Sequence, residues 1–420
     1  MKKNVLCLIM VIFLILTACS KSNTGSSQRS AAAGSVAEVR IGNLLPLSGA
    51  VANDGTQVRR GFDLAIEEIN AAGGIKSMGG AKINVIYGDT TGDPTVGVSE
   101  TEKLITQNKV SIMIGAHQSA VTLPTIAVAE RYRIPYYVPN ATSDAITEQG
   151  YKYTFRSTVK ADWGTKNEID FIQDIGKKTG DPVKSIGIAY EDTEGGQTWA
   201  IGLRANAKLA GIPIVFDESY VYGASDVTPL VNKLKSAAPD AVLIDSYVQD
   251  AILLTNTIEE MRVDAKCFIG WGGTSDPAYI AGTGKNSNYW FNVGAWEGDM
   301  NLLAARELAK TFYEKYGIAL NGHGAIGYSS VYVIKDVLEL AGSDDPEKIR
   351  EAFTKIHIKD GKAMVLPFEI TFGEDGQNPY ARYMVGQIID GQYRTMWPDE
   401  VVPPENKIVW PRPTWQERNR

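Results

Sequence analysis

The chain has 420 residues, 44% hydrophobic and 22% charged, a composition ordinary for a globular body, and its 42 basic against 49 acidic residues give a net charge of −7. With no dense Lys/Arg cluster, that balance excludes nucleic acid as the partner, because such binding rests on a basic patch. The three histidines, His117, His323 and His357, lie far apart in sequence without paired ligand spacing, so neither a metal site nor a cofactor is expected.

At the N-terminus Lys2 and Lys3 precede an apolar run from Val5 to Leu16 that stops at Thr17-Ala18-Cys19. The run is shorter than the roughly 20 residues a spanning helix needs, and it reads as an export signal over 1–18. Leu16-Thr17-Ala18-Cys19 resembles the lipobox of bacterial lipoproteins, which implies cleavage before Cys19 and a membrane anchor of two or three acyl chains on that residue. Residues 19–35, mostly Ser, Asn, Gly, Ala and Gln, read as a flexible tether. Cys7 leaves with the signal and Cys19 carries lipid, so Cys267 alone remains, and Cys267-Phe268-Ile269 marks it as a buried small hydrophobe. The body from Val36 onward exceeds one ordinary core and predicts two domains.

Periodicity then predicts a strand at 39–45, a helix at about 56–72, a strand at 82–88, a helix at 94–108, a strand at 111–115 and a helix at 119–133. Phe62, Ile66 and Ile69 share one face of the first helix, and Asp93-Pro94 supplies the cap and first turn of the second. After Arg156-Ser157-Thr158 the pattern restarts with helices at 164–178, 196–210, 226–237 and 248–262. Strands are predicted between them at 186–190, 212–219, 241–245 and 267–270. Next come a strand over 290–295, helices over 301–316, 325–341 and 346–356, a strand at 368–372 and a hairpin of 383–389 and 392–397 about Asp390-Gly391. The class is α/β, two lobes each with a parallel sheet flanked by helices.

Function must come from a site rather than from that class. The chain contains no G-x-G-x-x-G after its first strand, no phosphate-binding loop, no G-x-S-x-G elbow and no H-E-x-x-H. Ser119 sits where a strand becomes a helix, and a hydrolase reading makes it a nucleophile beside His117. No acid partner is positioned for it, and a hydroxyl there serves as a cap or an anion ligand. Gly195-Gly196 likewise follows a strand and opens a helix, either as a tight turn or as an anion-facing loop.

Several motifs in order resemble the type I periplasmic binding proteins of the leucine/isoleucine/valine-binding kind. They are Leu45-Pro46-Leu47-Ser48-Gly49, Ile69-Asn70-Ala71-Ala72-Gly73-Gly74-Ile75, Asp89 with Asp93-Pro94, Ile114-Gly115 with Ser119, Pro139-Asn140-Ala141-Thr142-Ser143 and Phe155-Arg156-Ser157-Thr158. The resemblance implies a two-lobed fold with a three-segment hinge near 157–160, 290–293 and 371–375. The first lobe is 36–158 plus 292–372 and the second is 159–291 plus 373–420. It further implies an ABC transporter permease as partner, a small amino acid or analogue as ligand, and no catalysis.

By the same resemblance the ligand carboxylate is held by Ser119, Asn140 and Thr142, with His117 and Gln118 beside them. The second lobe adds Tyr247 and the Gly195-Gly196 loop, and Trp271 offers a flat wall or core packing. Where the family places a glutamate against the ligand's ammonium this chain has Gly272, and Asp54 stands where an aromatic is common. A buried ammonium needs a carboxylate, and Asp276, Asp54 and Asp245 are available, with Asp276 ranked first and a helix cap open to it as an alternative role. A sensing receptor of the same fold is the nearest rival reading. A sugar-responsive DNA regulator is disfavoured by the export signal.

Overall fold

The computed structural model describes residues 37–418; the expected signal, Cys19 and the tether lie outside the described residues. No described helix is long and apolar enough to cross a membrane. The chain first lays down β1 (Glu38–Leu45), α1 (Ala52–Ala71), β2 (Lys82–Asp89), α2 (Pro94–Thr106), β3 (Ile112–Ile114), α3 (Ser119–Tyr132), β4 (Tyr136–Val138), α4 (Ala145–Glu148) and β5 (Thr154–Arg156). These strands form one parallel sheet in the order β2-β1-β3-β4-β5. β1 is buried from Ile41 to Leu45 without alternation, as a strand covered by helices on both faces must be.

A second unit follows with α5 (Ala161–Thr179), β6 (Ile186–Glu191), α6 (Glu194–Ala210), β7 (Ile214–Tyr220), α7 (Thr228–Ala237), β8 (Ala241–Ser246), α8 (Val248–Glu260), β9 (Cys267–Gly272), α9 (Pro277–Thr283) and β10 (Phe291–Gly294). The chain then returns through α10 (Leu303–Tyr316), α11 (Gly322–Ala341), α12 (Pro346–Phe353) and the small antiparallel pair β11 (His357–Ile358) and β12 (Ile370–Thr371). It ends in the hairpin β13 (Met384–Ile389) and β14 (Gln392–Trp397), with α13 (Trp415–Arg418) at the tail. The second sheet runs β14-β13-β10-β9-β8-β6-β7, antiparallel only where β13 and β14 join.

Most predicted elements are present, and the differences have physical causes. The three-residue strands β4 and β5 and the short helices α4 and α9 are too brief to show a period. α1 begins at Ala52, which puts Asp54 in its first turn. The expected crossing at 290–293 overlaps β10, which is hydrogen-bonded to β9 and β13, and the chain leaves the second sheet after Gly294. Gln377, just beyond the expected crossing at 371–375, still bridges to Arg156 at the end of β5.

α11 packs on α1 at a separation set by glycines. A Cβ added at Gly61 would lie 1.9 Å from the Gly324 carbonyl oxygen, and one at Gly327 would lie 2.3 Å from that of Val58. Backbone carbonyls cannot rotate away, so the helices must separate to admit a methyl. Gly61→Ala is therefore expected to lower stability by about 1–3 kcal/mol in urea unfolding; no loss would show that this contact is loose.

Candidate ligand-binding cleft

The carboxyl ends of β3 and β4 face those of β6, β8 and β9 across a cavity of about 90 Å³. That is room for roughly half a dozen water-sized atoms. One wall is built around the start of α3. Gly115, at φ +136, lets the chain pass the Leu44 carbonyl, where a Cβ would sit 2.5 Å away. His117 follows at φ +83, a conformation seldom adopted by a residue with a side chain, and the helix opens at Ser119 with no side chain capping it. An uncapped N-terminus of a 14-residue helix presents donor groups and positive potential to the cavity.

The loop after β4 completes this wall. Asn140, Ala141 and Thr142 line the cavity, and Ser143 donates its N–H to Ser119 Oγ at 3.2 Å, tying the loop to the helix start. Arg156, fully buried, holds the loop from behind. Its Nη1 donates to the Ser143 carbonyl at 2.6 Å, Nη2 to Thr147 Oγ1 at 2.9 Å and Nε to Gln377 Oε1 at 2.6 Å. Burial pulls its pKa down to about 10, so it stays charged, but its donors are engaged and it does not line the cavity.

The opposite wall is acidic. Glu191 and Asp245, 3% and 6% exposed, end the neighbouring strands β6 and β8, and among the described residues no lysine or arginine lines the cavity. Burial pushes Asp245 up to about 7 against the opposing Ser246 N–H; Glu191 is raised well above the usual carboxylate range by burial and by Asp245 and Asp250. Glu191 Oε2 has no partner. Gly272, at φ +75, lies beside them, and a Cβ there would come within 2.9 Å of the Ser246 carbonyl and 3.9 Å of Asp245 Oδ1. A side chain at 272 is thus disfavoured twice, by the positive φ and by the Ser246 carbonyl, while the Asp245 carboxylate lies in ordinary contact distance of the position.

A third group is the cluster of Asp54, His117 and His323, whose facing polar atoms all lie within 4.8 Å of one another. His117 Nε2 is 3.5 Å from Asp54 Oδ2, the two imidazoles meet edge to face at 5.0 Å, and His323 Nδ1 is 3.3 Å from the Asn140 amide. Burial lowers His323 to about 4. Burial opposes the Asp54 charge, yet its bond from His117 and the fields of His323 and His117 hold its pKa below the usual value. The two histidines set apart by sequence distance are thus neighbours in space, because α11 carries His323 to the mouth of α3.

Of the expected site residues, Ser119, Thr142, Asn140, His117 and Asp54 line the first wall, and Tyr247, Gly195 and Trp271 the second. Trp271 also packs on Tyr383 and against Gly164, where a Cβ would lie 2.0 Å from the indole, so it serves both wall and core. Three residues fall elsewhere. Gln118 turns toward Gly92, and Gly196 packs on the Glu191 carbonyl, where any Cβ would clash. Asp276, ranked first for the ammonium, is a cap: its oxygens accept from Ala278 N at 2.7 Å and from Asn321 Nδ2 at 2.8 Å. Glu191 and His323 were not singled out from the sequence as ligand contacts, since nothing local separates them from a solvated strand end and a helix start.

The sequence profile described as Periplasmic binding protein matches residues 38–392. The chain belongs to the periplasmic binding protein family. It is similar to a Leu/Ile/Val-binding protein homolog 8 of Brucella melitensis, 31% identical over 87% of this chain and 91% of that one. Its fold is similar to the branched-chain amino acid substrate-binding protein LivJ of Streptococcus pneumoniae, solved with isoleucine, with 23% identity, TM-score 0.74 and coverage of 87% and 100%. A solute-binding protein from R. palustris, solved with benzoate, aligns with TM-score 0.75 at 19% identity over 88% of this chain and 100% of that one.

As a periplasmic binding protein of the ABC transporter type, the chain acts outside the cytoplasm on small molecules and is not an enzyme. The nucleophile reading of Ser119 is thereby set aside; the structure places the residue in the cavity lining. The acidic wall makes the empty protein pH-sensitive. A carboxyl whose pKa is higher folded than unfolded binds its proton better when folded, so stability falls as pH rises from about 4 toward 7. Asp245→Asn is expected to raise the unfolding temperature of ligand-free protein at pH 8, with the gain shrinking toward pH 5; an equal effect at both would assign Asp245 no such shift.

Proposed function

We propose that this binding protein is a lipid-anchored receptor, held by acyl chains on Cys19, that captures an α-amino acid or a close amine-bearing relative for an ABC permease. The observation that supports this is the opposed pair of walls. Hydroxyls and an uncapped helix start suit a carboxylate on one side, and two cation-free carboxylates suit an ammonium on the other. In this reading Ser119 and Thr142 bind the carboxylate, Asp245 and Glu191 take the place of the glutamate missing at Gly272, and Trp271 and Tyr247 wall the side chain.

The two sheet-centred bodies would close about connections near 157–160, 295–302 and 377–383. Contacts already span the cleft, with Ser143 Oγ donating to Glu194 Oε1 at 3.1 Å and Asn321 bonded to Asp276. Ligand contacts to both walls convert binding energy into closure. A plain aromatic acid, such as the benzoate held by the R. palustris protein, brings no cation to Glu191 and Asp245 and leaves their burial uncompensated.

Thermal unfolding of protein stripped of carried-over solute, against the amino acids and aromatic acids, tests this. A ligand at a hundred times its dissociation constant adds about 2.7 kcal/mol, a shift of several degrees. The shift should come from amino acids, vanish in Thr142→Ala and in Asp245→Asn, and weaken from pH 7 to pH 5 as the acidic wall is protonated. A shift from carboxylic acids lacking an amine, undiminished in Asp245→Asn, would refute the ligand class.

A further inference from the structure

We infer that Asp54, His117 and His323 form a binding site for a divalent transition ion of the zinc or nickel class, set in the wall of the cleft with coordination positions open to the cavity. Two imidazoles and one carboxylate converge from three separate elements, the first turn of α1, the β3–α3 turn and the first turn of α11, with their nearest polar atoms within 4.8 Å of one another. Within this cluster Asp54 Oδ1 and His117 Nδ1 are buried and have no hydrogen-bond partner, although Asp54 is 3% and His117 9% exposed. Leaving such groups unsatisfied in the interior is unfavourable. An ion held between the three side chains meets lone pairs of two imidazoles and one carboxylate.

The donor set selects the ion. Two nitrogens and one oxygen suit zinc, nickel, cobalt or ferrous iron, whereas calcium and magnesium want more hard oxygen donors than the one carboxylate supplies. Three protein ligands leave at least one position free, the arrangement of ions that bind an exchangeable molecule rather than of closed structural sites. Donors in a tetrahedral shell of about 2.0–2.1 Å bonds stand about 3.3 Å apart, so the longest separation here closes on binding through rotation of the imidazoles. The Asn140 amide, 3.3 Å from His323 Nδ1, is placed to orient one ring as an outer partner.

An ion here faces the same cavity as Ser119 and Thr142, so a solute with an amine, carboxylate or imidazole donor can be held through it. That consequence rests on the receptor reading; ion binding itself does not. The two are separable by experiment. Zinc titrated into the chelator-treated full chain without any amino acid reads the ion site alone, and the amino acid thermal shift in the presence of chelator reads the solute site alone.

Calorimetry with Zn²⁺ is expected to show one ion per chain, with affinity reduced about a hundredfold or more in His323→Ala and in Asp54→Asn and retained in His357→Ala. That last variant removes the surface pair of His357 and Glu369, one imidazole and one carboxylate 2.6 Å apart, and so controls for zinc bound by a histidine outside the cluster. A second readout needs no variant: Co²⁺ added to the native chain should develop the visible absorption of a low-coordinate nitrogen and oxygen site. An unchanged aquo-ion spectrum, absence of zinc binding, or zinc binding lost with His357 instead of His323 would overturn the assignment.

Discussion

Glu191 and Asp245 stand near each other at the ends of β6 and β8, almost wholly out of water, and among the described residues no lysine or arginine lines the space they face. Removing a charge from water costs several kcal/mol even after relaxation, so such a pair is tolerated only by holding protons or by meeting a cation. The raised pKa of each describes the first solution in the empty protein. In the proposed function a bound ammonium supplies the second, and lobe closure, proton loss and binding would then be one coupled process.

The first sheet offers the complementary case of a buried charge that is satisfied. Arg156 spends its guanidinium on the Ser143 carbonyl, Thr147 and Gln377. It therefore fixes the loop that carries Thr142 and links that loop to the last crossing segment, since Gln377 in turn donates to the Thr158 carbonyl at 2.8 Å. Because the arginine is occupied, an anion bound at this end, as the proposed function has it, would depend on hydroxyls and backbone donors at α3. Neutral donors of this kind bind a carboxylate without the desolvation cost of a second buried ion. The tail is fastened on the far side in a similar way: Gln387 pairs with Val409 through both amide atoms, and Arg412 and Arg418 converge on Glu259.

Much of this was legible in the residues. The alternation of β-branched runs with amphipathic helices marked the two sheets, and Asp93-Pro94 marked a helix start that the structure caps as read. Motif order pointed to Ser119, Thr142 and Asn140, which the structure places in the cavity lining. What sequence could not deliver depends on contacts between distant segments. His323 joins His117 only because glycines let α11 lie against α1, and Asp245 lies close to position 272 only because β8 and β9 are neighbours in register. Asp276 was misplaced for the converse reason: a residue before proline that caps a short helix has the same composition as a carboxylate free to bind.

The central claim is that an ammonium replaces protons on the acidic wall. It is tested most directly by calorimetry of the best amino acid ligand near pH 6.5 in buffers of different ionisation enthalpy, which counts the protons exchanged on binding. The account predicts net proton release that is diminished in Asp245→Asn. Tight binding with no proton exchange, or with proton uptake, would show that the ligand's cation is not held by Glu191 and Asp245.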